Sequence, residues 1–105
     1  MRFMGPLSEL GKKEVEGKVS YSEIYWEFVE AMAVRMNENK VKYGPHNYRK
    51  PLQHKNELLQ SALRHLLKVI EPKEDDGETI QQHLAGVADN VMMYFYQIQH
   101  FENKT

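Results

Sequence analysis

The chain contains no cysteine. That excludes disulfides, thiolate metal sites and cysteine nucleophiles. It also lacks a dominant charge: 14 Lys and Arg against 15 Asp and Glu leave −1 at neutral pH. A binder of duplex nucleic acid normally shows a clear basic excess, so that partner is set aside. No apolar run approaches the ~20 residues of a membrane span. The opening MRFMGPLSELGKKEVEG has no apolar core of signal-peptide length. These absences predict a cytoplasmic protein with no membrane partner. Glycine-rich phosphate loops, serine elbows and HExxH are missing too.

What is there is helical periodicity. With 105 residues there is room for one domain. Residues 1–19 read as an arm, broken by Gly5-Pro6 and by Gly11 and Gly17. Residues 20–100 read as a helical domain, and 101–105 as a polar tail. Ser20 and Glu23 have capping-box spacing and predict a helix from about Tyr21 to about Lys42. Its broad stripe uses Ile24, Phe28, Ala31 and Met32, widened by Tyr25, Val29 and Met36. Gly44 can take a left-handed closing position, and Pro45 cannot continue the helix. A second helix, Asn56 to Glu71, carries a stripe of Leu59, Ala62, Leu63, Leu66, Leu67 and Ile70, and stops before Pro72. In the third, Asp76 or Thr79 is the cap, and Thr79 with Gln82 again has capping-box spacing. That helix is expected to bury Ile80, Leu84, Val87, Ala88, Val91, Phe95 and Ile98. The fold class is therefore all-α, a small bundle of three main helices. Met92, Met93, Tyr94 and Tyr96 lie away from the main stripe of the third helix. Three helices cannot cover all these faces, which predicts completion by a homo-oligomer, a dimer or higher.

Two sets of residues invite chemistry. The loop KYGPHNYRK joins flat groups (Tyr43, His46, Tyr48) to cations (Lys42, Arg49, Lys50) around Asn47 and a permissive Gly44. Aromatic faces stack bases, and a guanidinium fork suits phosphate. Off the apolar stripes of the next two helices stand Glu57, Gln60, Arg64 and His65, then His83, Asp89 and Asn90. The loop reads as a floor and these helices as walls of one pocket for a phosphate-containing small molecule. Glu57 and Asp89, with Glu78 as a third, are the candidate oxygen ligands for Mg²⁺ or Mn²⁺. No ExxE or ExxD pair stands on either wall helix, however, and the run Glu74-Asp75-Asp76 reads as a solvated turn.

KYGPHNYRKP, ALRHLL and HLAGVADNVMMYF, in this order, resemble a phage-borne family of dATP/dGTP diphosphohydrolase-like proteins over roughly Gly17 to Ile98. That family shows KYG-x-x-NWRK, DAxLRH, an acidic turn and HLAHAxxNxLFL. It is similar in turn to the all-α nucleotide pyrophosphohydrolases of the MazG type, which hold magnesium with acidic side chains of paired helices. Lys42, Tyr43, Gly44, Asn47, Arg49, Lys50, Arg64, His65, His83 and Asn90 match the pattern, and Tyr48 replaces its tryptophan. Gln60 stands where the family tends to have Asp, and Gly86 where it tends to have a second His.

The resemblance implies two uses of the pocket. A chain that keeps phosphate-binding groups but sheds metal ligands reads first as a nucleotide binder that needs no cofactor. In a phage setting it would sequester a host immune nucleotide in the bacterial cytoplasm. There Arg49, Lys50 and Arg64 would take phosphates, Tyr43 or Tyr48 would stack the base, Asn47 and Asn90 would read its edge, and His65 or His83 would donate. The alternative is a Mg²⁺- or Mn²⁺-dependent hydrolase cleaving a (d)NTP to the monophosphate and pyrophosphate. A helical scaffold with no small ligand is the third reading.

Overall fold

The computed structural model describes residues 16–72 and 75–101. Three helices, α1 (Trp26–Tyr43), α2 (Asn56–Ile70) and α3 (Ile80–Phe101), and a 3-10 turn at Asn47–Arg49 make up its regular structure. No strand occurs among the described residues, so the all-α class holds. No helix among the described residues is long and apolar enough to cross a membrane. The arm expected over residues 1–19 lies almost wholly outside the described residues, as does the tail beyond Phe101.

Helix α1 starts five residues later than its capping-box spacing predicts. Ser20 Oγ is engaged locally, donating to Ser22 Oγ at 3.1 Å and accepting from Ser22 N at 3.3 Å. That side-chain turn competes with the helix for the same hydroxyl. Gly44 ends the helix at φ 91° and ψ 157°. This is not the left-handed helical position expected of it but an extended geometry reserved for glycine. The second capping box does form. Thr79 N donates to Gln82 Oε1 at 2.7 Å, and Gln82 N donates to Thr79 Oγ1 at 3.1 Å. Such a cap contributes about 1 kcal/mol. Past the expected fraying point α3 continues to Phe101, with Tyr96 stacked on His100 at 4.0 Å.

Helix α3 is the centre of the packing: α2, α1 and the 3-10 turn all lie on it. The face it buries is not the apolar stripe. Its buried residues are His83, Ala85, Gly86, Asp89, Asn90, Met93 and Gln97. Of the stripe expected inside, Ile80, Leu84, Val91 and Phe95 are exposed, Phe95 at 66%. Helix α2 behaves alike: Ala62 is buried, whereas Leu63, Leu66, Leu67 and Ile70 are exposed. The reason is spacing on α3. His83, Gly86, Asn90, Met93 and Gln97 recur at alternating three and four residues, which places them in a seam on one inward face. Gly86 in that seam lets α2 approach. A Cβ on Gly86 would lie 2.9 Å from the His65 ring, so only glycine leaves the ring its place.

Candidate functional site

A cavity of about 350 Å³ opens between the second half of α1, the loop after it, and the middles of α2 and α3. The loop contributes Tyr43, His46, Asn47 and Tyr48, and the helices contribute His65, Asp89 and Asn90. One α3 side chain ties down the loop by hydrogen bonds at three points. Gln97 Nε2 donates to the carbonyls of Tyr48 (2.6 Å) and Lys50 (2.7 Å), and its Oε1 accepts from Leu52 N (3.1 Å). Gln97 is only 1% exposed. The Tyr48 ring packs edge-on against Tyr96 at 5.5 Å. His46 enters the 3-10 turn at φ 60°, a left-handed backbone seldom taken by residues with a side chain.

Asp89 is the unusual group in the wall. It is 2% exposed, and neither carboxylate oxygen has a hydrogen-bond partner. Burial pushes its pKa up to about 7, against a smaller opposing pull from Arg35. Arg35, absent from the sequence-based set, also lines the cavity. Its Nη1 donates to Glu78 Oε1 at 2.7 Å, and its Nη2 lies 3.5 Å from His65 Nε2. That bond holds the Glu78 carboxyl below its ordinary range. Burial, then the Arg35 charge, then His83 lower the His65 pKa, so its ring stays neutral at pH 7.

The remaining expected residues lie elsewhere. Arg64 pairs with Glu57 on the solvent side of α2, both side chains 60% exposed. Glu57 lines a shallow groove with Gln53 and Gln60, so the two carboxylates read as a metal pair, Glu57 and Asp89, do not share a cavity. Arg49 Nε donates to the Tyr48 hydroxyl at 3.1 Å, its guanidinium over the Tyr48 and Tyr96 rings. Lys42 lies over the Tyr43 ring, and Lys50 meets Gln97 through its backbone; neither lysine lines the cavity. His83 opens onto a second groove with Arg64, Asp76 and Glu78. Asp76, read as merely solvated, accepts from His83 Nε2 and from Lys68 Nζ, each at 2.9 Å. The Lys68 bond and the Glu78 amide hold it down to about 2.

Three donors in this region are close enough to share an ion. Nitrogens of His65 and His83 and an oxygen of Glu78 all lie within 4.8 Å of one another. A profile of the family "dATP/dGTP diphosphohydrolase, N-terminal" matches residues 8–105. The chain belongs to this dATP/dGTP diphosphohydrolase family. No curated protein and no solved structure matches it. The match covers nearly the whole chain and so includes the loop, Asp89 and the His/Glu/His group. The likeness to MazG-type enzymes expected from AGVADNVMMYF is not shown by this match.

Arg35, Lys40 and Gln97 escaped sequence reading. Arg35 falls four residues after Ala31 and three after Met32, so a cation on an apolar stripe marked it; Lys40 sits in the last turn of α1, where cations are ordinary. Gln97 looked like one more polar residue near a helix end. The available signal was the seam spacing from His83 to Gln97, which places Gln97 on the inward face.

Proposed function

We propose that the cavity binds a purine deoxynucleoside triphosphate and cleaves it to the monophosphate and pyrophosphate. The observation that carries this reading is Asp89: a buried carboxyl, both oxygens unpartnered, in the wall of a polar cavity. A group titrating near pH 7 is suited to take a proton from an attacking water. Unpaired carboxylate oxygens also suit Mg²⁺ or Mn²⁺, so the donor set fits the divalent ion such a hydrolase would use. A bound ion would neutralise charge on the phosphoryl oxygens. Arg35 and Lys40, both on the cavity, supply the positive charge that faces the phosphates. Tyr43 and Tyr48 offer faces for the base. Asn90 donates its amide to Gly86 O at 2.8 Å, which leaves its carbonyl to accept from an exocyclic amine. Adenine and guanine both carry one. Family membership favours hydrolysis over sequestration.

The exposed stripes of α2 and α3 support a second element of this reading, that the working form is a homo-oligomer. The chemistry is tested by incubating the protein with each dNTP and Mg²⁺ or Mn²⁺ and following pyrophosphate. Release from dATP and dGTP, lost in Asp89→Asn, is expected. Nucleotide-induced thermal stabilisation without turnover would overturn hydrolysis and restore the sequestering binder.

A further inference from the structure

His65 Nδ1 and His83 Nδ1 face each other at 2.9 Å across the α2–α3 seam, and Glu78 Oε1 is 4.0 Å from His83 Nδ1. Two bare nitrogens cannot rest that close unless something positive lies between them. The surrounding bonds say which is bare. His83 Nε2 faces the Asp76 carboxylate, so it carries the proton and leaves Nδ1 as a lone pair. His65 Nε2 faces Arg35, which can only donate, so the His65 proton sits on Nδ1 between the rings. A cation about 2.1 Å from both nitrogens would stand to one side of the line between them; it would displace that proton to His65 Nε2 and leave Arg35 bonded to Glu78 alone.

We propose that His65, His83 and Glu78 form a binding site for a first-row transition-metal ion of the Co²⁺, Ni²⁺ or Zn²⁺ class, in preference to Mg²⁺. Imidazole nitrogens suit these ions, whereas magnesium demands oxygen and gives up water reluctantly. His83 has the support that a metal-binding histidine usually needs, a carboxylate on the far ring nitrogen. Asp76 provides it, itself braced by Lys68 and by the Glu78 amide at 3.0 Å. Gly86 provides the room in which the His65 ring lies. Arg35 already shares Glu78 Oε1, but a carboxylate has lone pairs enough to accept from it and still ligate. The ion would stand in the wall between the cavity, which His65 lines, and the outer groove, which His83 and Glu78 line. Its binding does not depend on hydrolysis in the cavity.

The test is titration of the dialysed chain with Co²⁺, read by visible absorption and by calorimetry. One ion per chain is expected, with a hundredfold excess of Mg²⁺ failing to displace it. Glu78→Gln should lose at least tenfold in affinity, and Asp76→Asn, which leaves every ligand in place, should lose between ten- and a hundredfold. Gly86→Ala should also weaken binding by crowding His65. Arg35→Gln breaks the same ion pair as Glu78→Gln but removes a competing cation, so it should bind as tightly or more tightly. With Mg²⁺ in excess to fill any oxygen site at Asp89, Asp89→Asn should leave Co²⁺ affinity unchanged, so failed hydrolysis by the parent chain with intact Co²⁺ binding would sink the proposed activity and not this site. No Co²⁺ binding, or equal loss in Glu78→Gln and Arg35→Gln, would overturn the proposal.

Discussion

The two long faces of α3 invert the usual arrangement. One face carries His83, Asp89, Asn90 and Gln97 and is buried; the other carries Ile80, Leu84, Val91 and Phe95 and is exposed. Burying polar groups costs free energy unless each is paired. His83, Asn90 and Gln97 are paired, whereas Asp89 is not. The contrast teaches that the interior is organised around a site rather than around a hydrophobic core. The apolar exterior is where a partner subunit would supply the missing burial. Apolar surface is worth about 25 cal/mol per Å² when covered.

The largest expected effect comes from the buried face. Asp89→Asn should cut pyrophosphate release by a factor on the order of 10² or more, since it removes the buried, unpartnered carboxyl proposed to take the proton. The same substitution should stabilise the fold at pH 8. The native carboxyl titrates near 7 against an ordinary 3.8, so the unfolded chain ionises first. Stability is therefore full below about pH 4, falls as pH rises to 7, and is flat beyond. Three units correspond to at most about 4 kcal/mol. The melting-temperature gap between variant and parent should be several degrees at pH 8 and close by pH 4. Activity should run the other way, rising through pH 7.

Next comes Gln97→Ala, which strands three backbone groups of the loop. A cost of about 2–4 kcal/mol in urea unfolding is expected, with a raised KM as the cavity floor loosens. On the exposed face, Leu67→Glu should convert any oligomer to monomer in sedimentation equilibrium, Leu67 being 57% exposed within the chain. If the parent already sediments as a monomer, the outer face is not an interface and the comparison loses half its meaning. The smallest effect belongs to Glu57→Ala. Its pair with Arg64 is solvated, so stability should move by less than about 1 kcal/mol and activity not at all.

Much of the fold was legible in the sequence. Helix periodicity, the Thr79–Gln82 cap and the stop at Gly44-Pro45 are local signals, and local bonds honour them. The loop's contribution was legible in part: Tyr43, His46, Asn47 and Tyr48 do meet His65, Asp89 and Asn90 around one space. What periodicity cannot state is which face points inward. It identifies the apolar side of α3 and assumes that side is the core, and here the polar side is. For the same reason Arg64 was assigned to the pocket. It lies beside His65 in sequence, but one residue on a helix is a turn of about 100°, enough to place it on the outside.

One consequence of the Gln97 contacts concerns cooperativity. Because one amide bonds to Tyr48, Lys50 and Leu52 together, its loss would withdraw three hydrogen bonds from that span at a stroke, leaving the ring contacts of Tyr48 and Arg49 with Tyr96 to hold it.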